Sequence, residues 1–271
     1  MKNNVLIECQ NIELYFEKDK KHSLKVLDRI NFTLHENEIV TILGKSGAGK
    51  SSFLRIAAGL LHPSYGSVLY KDKPVTKPLD NMSMVFQNFA LLPWLNVVDN
   101  ILFGSDALGV SRKISEPKAH ELIQKISLQG FEKAYVNELS GGMKQRVGFA
   151  RALMVEPEIL FLDEPFSSLD ITTANTLRSD ILNLWLNKQI PTKSMVLVTH
   201  SVEEAVMMAD RVIIFDNHPG KIAYEHTLNI PRLRDKRSPE VLKHIDLLEQ
   251  KLHSVNANSI QKEDKIITIQ A

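Results

Sequence analysis

The sequence predicts an α/β fold, with a mostly parallel sheet as core, antiparallel β structure ahead of it and a helical lobe inserted into it. Three observations predict this. The stretch Gly44-Lys45-Ser46-Gly47-Ala48-Gly49-Lys50-Ser51 fills every fixed position of the phosphate-loop pattern G-x-x-x-x-G-K-[ST]. It lies between an apolar, β-branched run (Ile39-Val40-Thr41-Ile42-Leu43) and a helical one (residues 52–58). Short apolar runs at 159–162, 195–199 and 212–215 alternate with segments of helical spacing, as parallel strands covered by helices do. Residues 88–156 lose strand character altogether.

In order, residues 6–15 alternate as a strand, with Leu6, Glu8, Cys9, Ile12 and Leu14 in view, and residues 17–22 read as a charged loop. Residues 26–34 alternate again, and Glu36-Asn37-Glu38 turns into the phosphate-loop strand. Pro63-Ser64-Tyr65-Gly66-Ser67 is a turn; 68–70 and 82–86 are strands, and Gln87 ends the second. In open α/β sheets that edge is where ligand groups gather. Ser115-Glu116-Pro117 starts a helix carrying Ala119, Leu122, Ile123 and Ile126. Ser140 caps another, with the stripe Met143, Val147, Ala150 and Met154, and Pro157 ends it. Leu177, Ile181, Leu184 and Trp185 mark a further helix. Ser201-Val202-Glu203-Glu204 reads as a capping box, and His218-Pro219-Gly220 as a turn. Ser238-Pro239-Glu240 opens a last helix with Val241, Ile245, Leu248 and Leu252 on one face; the polar residues 254–271 are expected to be loosely held. The domains expected are a core of residues 1–87 and 158–228, a helical lobe of 88–157, and a C-terminal helix and tail of 229–271.

Composition excludes several classes. With 33 Lys and Arg against 32 Asp and Glu, the net charge is +1, so no global basic field draws a nucleic acid or an anionic membrane. The one cysteine, Cys9, rules out an intrachain disulfide. No run approaches the ~20 apolar residues of a membrane helix, and Met1-Lys2-Asn3-Asn4 does not open a signal peptide. The expectation is a chain that is soluble or held at a membrane by a partner.

The phosphate loop's glycines let the backbone wrap an anion, and the helix N-terminus points N–H groups at it. Lys50 would reach the β- and γ-phosphates, and Ser51 would ligate Mg²⁺. Asp163 and Glu164 end a buried strand, where paired carboxylates are costly without a cation. Asp163 suits Mg²⁺, and Glu164 suits polarising a water for attack on the γ-phosphate. His200 ends the next strand, expected beside the one carrying Asp163 and Glu164, and could reach the γ-phosphate or the water. Gln87 alone carries no signal. Leu139-Ser140-Gly141-Gly142-Met143-Lys144-Gln145-Arg146 is a second anion-binding pattern, a hydroxyl and two glycine N–H groups at a helix start. Alone it is an ordinary helix cap. Since the chain already has a phosphate loop, a second clamp makes sense if it serves the nucleotide of another copy.

In order and spacing, residues 44–51, Gln87, residues 139–146, 159–170 and His200 resemble the nucleotide-binding subunit of ABC transporters, over about residues 5–225. The resemblance implies a P-loop NTPase with a RecA-like core, an antiparallel β subdomain and a helical signature lobe. It implies a head-to-tail homodimer with two ATP molecules between phosphate loop and opposing signature. Gly44, Lys45, Ser46, Gly47, Ala48, Gly49, Lys50, Ser51 and Ser52 would hold ATP; Ser51, Gln87 and Asp163 would hold Mg²⁺. Ser140, Gly141, Gly142 and Gln145 would act in trans. Glu164 would be the base, Gln87 would touch Mg²⁺ and water, Asp170 would join the dimer contact, and His200 would switch on the γ-phosphate. Phe16 or Tyr15 would stack on adenine, Phe16 aligning better. Asn37-Glu38 stands where relatives usually have Gly-Glu.

Leu91-Leu92-Pro93-Trp94, Asp99-Asn100 and Glu203-Glu204-Ala205-Val206 resemble importer ATPases, and Ala209-Asp210-Arg211-Val212 followed by Pro219-Gly220-Lys221-Ile222 resembles the importers of nitrate, sulfonate, taurine and pyrimidine precursors. Implied partners are transmembrane permease subunits and, indirectly, an extracytoplasmic solute-binding protein, with the chain peripheral on the cytoplasmic side of the inner membrane. The rival reading is a soluble ABC ATPase of ribosome, repair or iron–sulfur assembly type. Those often carry two cassettes or long inserts, and this chain has one cassette.

Overall fold

The computed structural model describes residues 4–19, 22–217 and 219–269. In chain order its elements are β1 (Val5–Asp19), β2 (His22–His35), β3 (Ile39–Leu43), α1 (Lys50–Ala57), β4 (Tyr65–Tyr70), β5 (Lys73–Pro74), β6 (Met82–Val85), α2 (Val97–Ala107) and α3 (Arg112–Lys125). A 3₁₀ turn (Val136–Glu138) precedes α4 (Gly141–Met154), β7 (Ile159–Asp163), α5 (Ile171–Leu186), β8 (Ser194–Thr199), α6 (Val202–Met208), β9 (Arg211–Asp216), β10 (Lys221–Thr227) and α7 (Pro239–Ile269). They form two compact units, Met1–Leu79 with Val196–Ala271, and Asp80–Met195.

In the first unit β1 pairs antiparallel with β2 and β4, in the order β2-β1-β4-β5. The alternation buries Ile7, Cys9, Ile12 and Leu14. The register shifts between Cys9 and Ile12, where Asn11 takes a positive φ of 50°. An extra residue there bends the strand, and Asn is one of the few side chains that accept the left-handed conformation. The residues read as a charged loop, 17–22, instead carry the ends of β1 and β2; 20–21 lie outside the described residues, as does His218 of the expected turn.

The same unit orders its other strands β10-β9-β3-β8. β3 is buried at every position and parallel to β9, with Leu43 opposite Ile214. β10, which the sequence reading did not separate from its turn, pairs antiparallel with β9. The entry to β3 is braced by charge. Glu38 takes the Arg211 guanidinium at 2.8 Å, both largely buried, and the Ile39 N–H donates to the Asp210 carboxylate at 2.8 Å. Asn37 sits at φ 61°. That position is thus a left-handed one, which Asn accepts more readily than most side chains. α7 continues to Ile269 and so takes in residues 254–269 of the expected tail.

The second unit pairs β6 and β7 parallel, with Val85 opposite Leu162, and adds α2 to α5. The helix expected at Ser115 begins a turn earlier, at Arg112 after Ser111. Proline at 117 therefore falls in the second turn, removing one backbone bond. The early start is held by Arg112, which donates to Asp99 at 2.9 Å and Asp106 at 2.7 Å. α4 and the face of α5 from Leu177 to Trp185 follow the expected stripes.

Replacing Asn37 by Ala should lower stability by about 1–2 kcal/mol, the cost of a Cβ without a helping amide in the left-handed region. Asn37→Gly should be close to neutral. Urea unfolding of both variants checks this, and equal losses would remove the backbone argument.

Candidate functional site

The phosphate loop joins β3 to α1. Gly47 and Gly49 take φ of 82° and 79°, and Gly49 is the N-cap of α1. A Cβ on Gly49 would stand 2.7 Å from Leu27 Cδ2, so only glycine fits both the angle and the space. Lys50 is 5% exposed and donates to the carbonyls of Gly44 at 2.9 Å and Lys45 at 2.8 Å. The loop therefore arches around its own ammonium group. Ser46 and Gly47 are exposed, and Ser51 and Ser52 half-buried, on the first turn of α1.

The parallel register of β6 and β7 brings their C-terminal ends to one edge, so Gln87 and Glu164, each two residues past a paired position, meet. Gln87 Nε2 donates to Glu164 Oε2 at 3.3 Å and approaches Ser167 Oγ at 3.5 Å. Ser167 in turn donates to the Glu164 carbonyl at 3.0 Å. Glu164 adopts φ 46°, turning the chain sharply as it leaves the strand and keeping its side chain half-exposed. Asp163, in contrast, is 4% exposed. Asp170 caps α5 by accepting from the Thr173 N–H at 3.0 Å. Bonds from Thr173 hold its carboxyl below the usual carboxylate range.

Ser140 caps α4, its oxygen accepting from the Met143 N–H at 3.3 Å, which leaves the hydroxyl proton to donate. Ser140 and Gly141 are exposed. A Cβ on Gly142 would stand 2.5 Å from Thr173 Cγ2, so α4 and α5 approach through this glycine. Gln145 is wholly buried, and neither atom of its amide has a partner.

In the first unit His200 is exposed at the end of the fully buried β8. Ser201 caps α6 through the Glu204 N–H at 3.2 Å. The expected reciprocal half of the capping box is replaced: Glu204 accepts from Thr199 Oγ1 at 2.5 Å, and the Ser201 N–H donates to that hydroxyl at 3.1 Å. On β1, Phe16 is 46% exposed. Tyr15 is engaged, packing edge-on to Tyr65 at 6.0 Å with Lys25 over its ring at 5.3 Å.

Residues 27–167 match the family model described as ABC transporter. The chain belongs to the ABC transporter family. It is an ABC-type ATPase, similar over most of its length to curated members. It is 40% identical over 240 residues to an uncharacterized ABC transporter ATP-binding protein of Methanocaldococcus jannaschii, covering 89% of this chain and 88% of that one. It is 40% identical to a taurine import ATP-binding protein of Burkholderia thailandensis, over 79% of this chain and 81% of that one. It is 38% identical to an aliphatic sulfonates import ATP-binding protein of Bacillus cereus, over 86% and 90%. Among solved structures, a dimeric ATP-binding cassette in a post-hydrolysis state bound to ADP and Pi superposes with a TM-score of 0.73 at 27% identity, covering 83% of this chain and all of that one.

Sequence reasoning missed three residues of this ABC cassette that shape its working loops. Ser167 bridges to Gln87 and Glu164, and nothing in a Pro-Phe-Ser-Ser string marks it. Asn100, fully buried, donates to the carbonyls of Leu92, Leu95 and Asn96 and accepts from the Leu92 N–H, folding the segment before α2. Arg151 donates to the carbonyl of Phe89 at 2.9 Å and to that of Ala90 at 2.6 Å, residues at φ 61° and 48°. A charge inside the apolar helix α4 was its signal. The segment they hold leaves Trp94 69% and Phe103 48% exposed. Among the described residues no helix is long and apolar enough to cross a membrane.

Gly142→Ala should destabilise the second unit by about 1–3 kcal/mol through overpacking against Thr173. Thr173→Ala in the same chain should recover most of that loss, since it removes the atom met. Melting curves of the single and double variants measure the coupling; additive losses would contradict the contact.

Proposed function

We propose that the chain is the ATP-hydrolysing subunit of an importer for a small anion of the taurine or sulfonate kind, working as a head-to-tail homodimer around two ATP molecules beneath separate permease subunits. The observation that carries the catalytic part is the bond from Gln87 to Glu164 beside Ser167. It holds a carboxylate at a strand end with one face toward solvent, as a base for water requires.

The residues of this chain divide the work. The N–H groups of the phosphate loop and the Lys50 ammonium bind the β- and γ-phosphates. Phe16, exposed where Tyr15 is engaged, stacks on adenine. Glu164 orients the attacking water and takes its proton. Gln87 keeps that carboxylate aimed, and His200 meets the γ-phosphate. Ser140 and Gly141, exposed at the start of α4, serve the nucleotide of the other copy, and Asp170 stands in the dimer contact. The oxygen donors of Ser51, Gln87 and Asp163 are hard ligands that suit Mg²⁺, and burial of Asp163 at an apolar strand end costs less beside a cation. When bound, the ion offsets charge on the transferring phosphate.

The exposed Trp94 and Phe103 favour a transporter over a free-standing ATPase, since aromatic side chains left in water mark a docking surface. A permease helix is the partner proposed there, which puts the chain on the cytoplasmic face of the membrane. The import names of the relatives support the anion class.

Glu164→Gln should keep ATP binding, lower turnover by about 10²–10⁴-fold and accumulate as an ATP-bound dimer in size-exclusion chromatography. Wild-type turnover would rule Glu164 out as the base. Trp94→Ala should leave ATP binding intact and reduce co-purification with the permease; undiminished recovery of the complex would refute the docking role.

A further inference from the structure

The C-terminal helix has no part in the reading above, yet it packs beside the switch histidine. Val241 and Leu248 of α7 are buried with Val202, Ala205 and Val206 of α6, and Ile245, Leu252 and Val255 pack against the same cluster. α6 starts at Val202, with Ser201 as its cap, directly after His200. α7 thus grips the helix that continues from His200. Alongside this apolar seam runs an open cleft of about 440 Å³. One wall is the turn of residues 200–203; the other is Glu249, Leu252, His253 and Asn256 of α7. Those four positions follow i, i+3, i+4, i+7 and so form one helical face.

We propose that α7 is a positioning element for His200. In this role Glu249 and His253 orient the imidazole and its turn across the cleft, and the C-terminal helix sets turnover without touching the nucleotide. The proposal rests on the assignment of His200 to the γ-phosphate. On the β8 side the turn is already fixed, by the bonds among Thr199, Ser201 and Glu204. On its other side it faces the cleft, whose opposite wall carries Glu249, His253 and Asn256 of α7. A neutral imidazole has one donor and one acceptor nitrogen, so a polar partner on one side selects which nitrogen it presents on the other. The cleft is roomy and polar enough for ordered water, and bridging water transmits that preference. Glu249 and His253 are both exposed, so they contribute little to packing, whereas Leu252 between them is half-buried in the seam. The apolar residues of α7 therefore anchor the helix, and the polar ones are left to act on the turn.

The test is steady-state ATP hydrolysis and ATP binding by the full-length chain carrying Glu249→Ala with His253→Ala. The expected result is a kcat reduced roughly three- to ten-fold, with KM and the ATP dissociation constant within about two-fold of wild type. The melting temperature should not move. Glu249→Gln with His253→Asn, which keeps hydrogen-bonding groups on both positions, should restore most of kcat, and Lys243→Ala on another face of α7 should leave it unchanged. A double alanine variant with wild-type kcat overturns the proposal, as does a loss matched by a fall in melting temperature. If His200→Ala loses the hydrolysis that the wild type shows, that failure belongs to α7 alone; if His200→Ala hydrolyses ATP at the wild-type rate, the assignment of His200 fails instead. A wild-type chain without ATPase activity removes the catalytic reading and the role of α7 with it.

Discussion

The structure depends on how closely its phosphate loop is pressed from behind. Gly44, Gly49 and Gly220 are the contact points. A Cβ at Gly44 would lie 3.1 Å from the Phe215 carbonyl, and one at Gly220 would lie 2.2 Å from the Ala48 carbonyl. Gly49 is closed off by Leu27 in the same way. Three strands converge here: β2 through Leu27, β9 through Phe215, and the start of β10 through Gly220. Backbone bonds lock the last of these, with the Asp28 N–H donating to the Gly220 carbonyl at 2.9 Å and the Gly220 N–H to the Val26 carbonyl at 2.8 Å. With its rear face packed and Lys50 inside its arch, the loop is held close against the strands behind it. The antiparallel β structure ahead of the nucleotide strand is thus part of the mould for the phosphate site.

A second constraint concerns strand ends. Where β6 and β7 finish, the chain takes left-handed conformations at Glu164, Phe89 and Ala90. Such backbone costs of order 1–3 kcal/mol per residue unless surrounding bonds over-determine it. Here they do. Ser167 holds the Glu164 carbonyl, and the Arg151 guanidinium spans the carbonyls of Phe89 and Ala90. The same bonds that tolerate the sharp turns aim Gln87 at Glu164 and lead the chain toward the exposed Trp94. The helix α4 that starts with the exposed Ser140 cap also supplies Arg151, so one rigid element supports both.

Much of this was legible because it depends on local chemistry. The phosphate loop, the strand-end acids, the Ser140 cap and the apolar stripes of α4 and α5 each declare themselves within a few residues. What was not legible depends on partners distant in sequence. Gly220 reads as a turn residue, and only the fold reveals that it lies against Ala48. The start of α3 moved because Arg112 finds Asp99 and Asp106, and a local rule that places Pro near a helix start cannot weigh that pair. The capping box at Ser201 was half realised because Thr199, a strand residue, competes for Glu204. Asn37 was read as a departure from its relatives' pattern, and only the fold reveals its left-handed φ, which Asn accepts.

The proposed second anion site shows how geometry narrows a family assignment. Four residues of α4 were expected to act on the nucleotide of another copy, but they are not equivalent here. The first N–H groups of a helix have no intrahelical acceptor. Ser140 takes that of Met143, which leaves those of Gly141 and Gly142 with the Ser140 hydroxyl at the start of the helix. Gln145 lies one turn further in and is fully buried. Its amide has no partner there, which costs about 1–3 kcal/mol in an apolar setting. In this conformation α4 therefore offers a phosphate one hydroxyl, two N–H groups and the positive end of its dipole, without a side-chain amide. In the role proposed toward another copy's nucleotide, that set, with no carboxylate or charged side chain of its own, would hold a triphosphate through neutral donors alone.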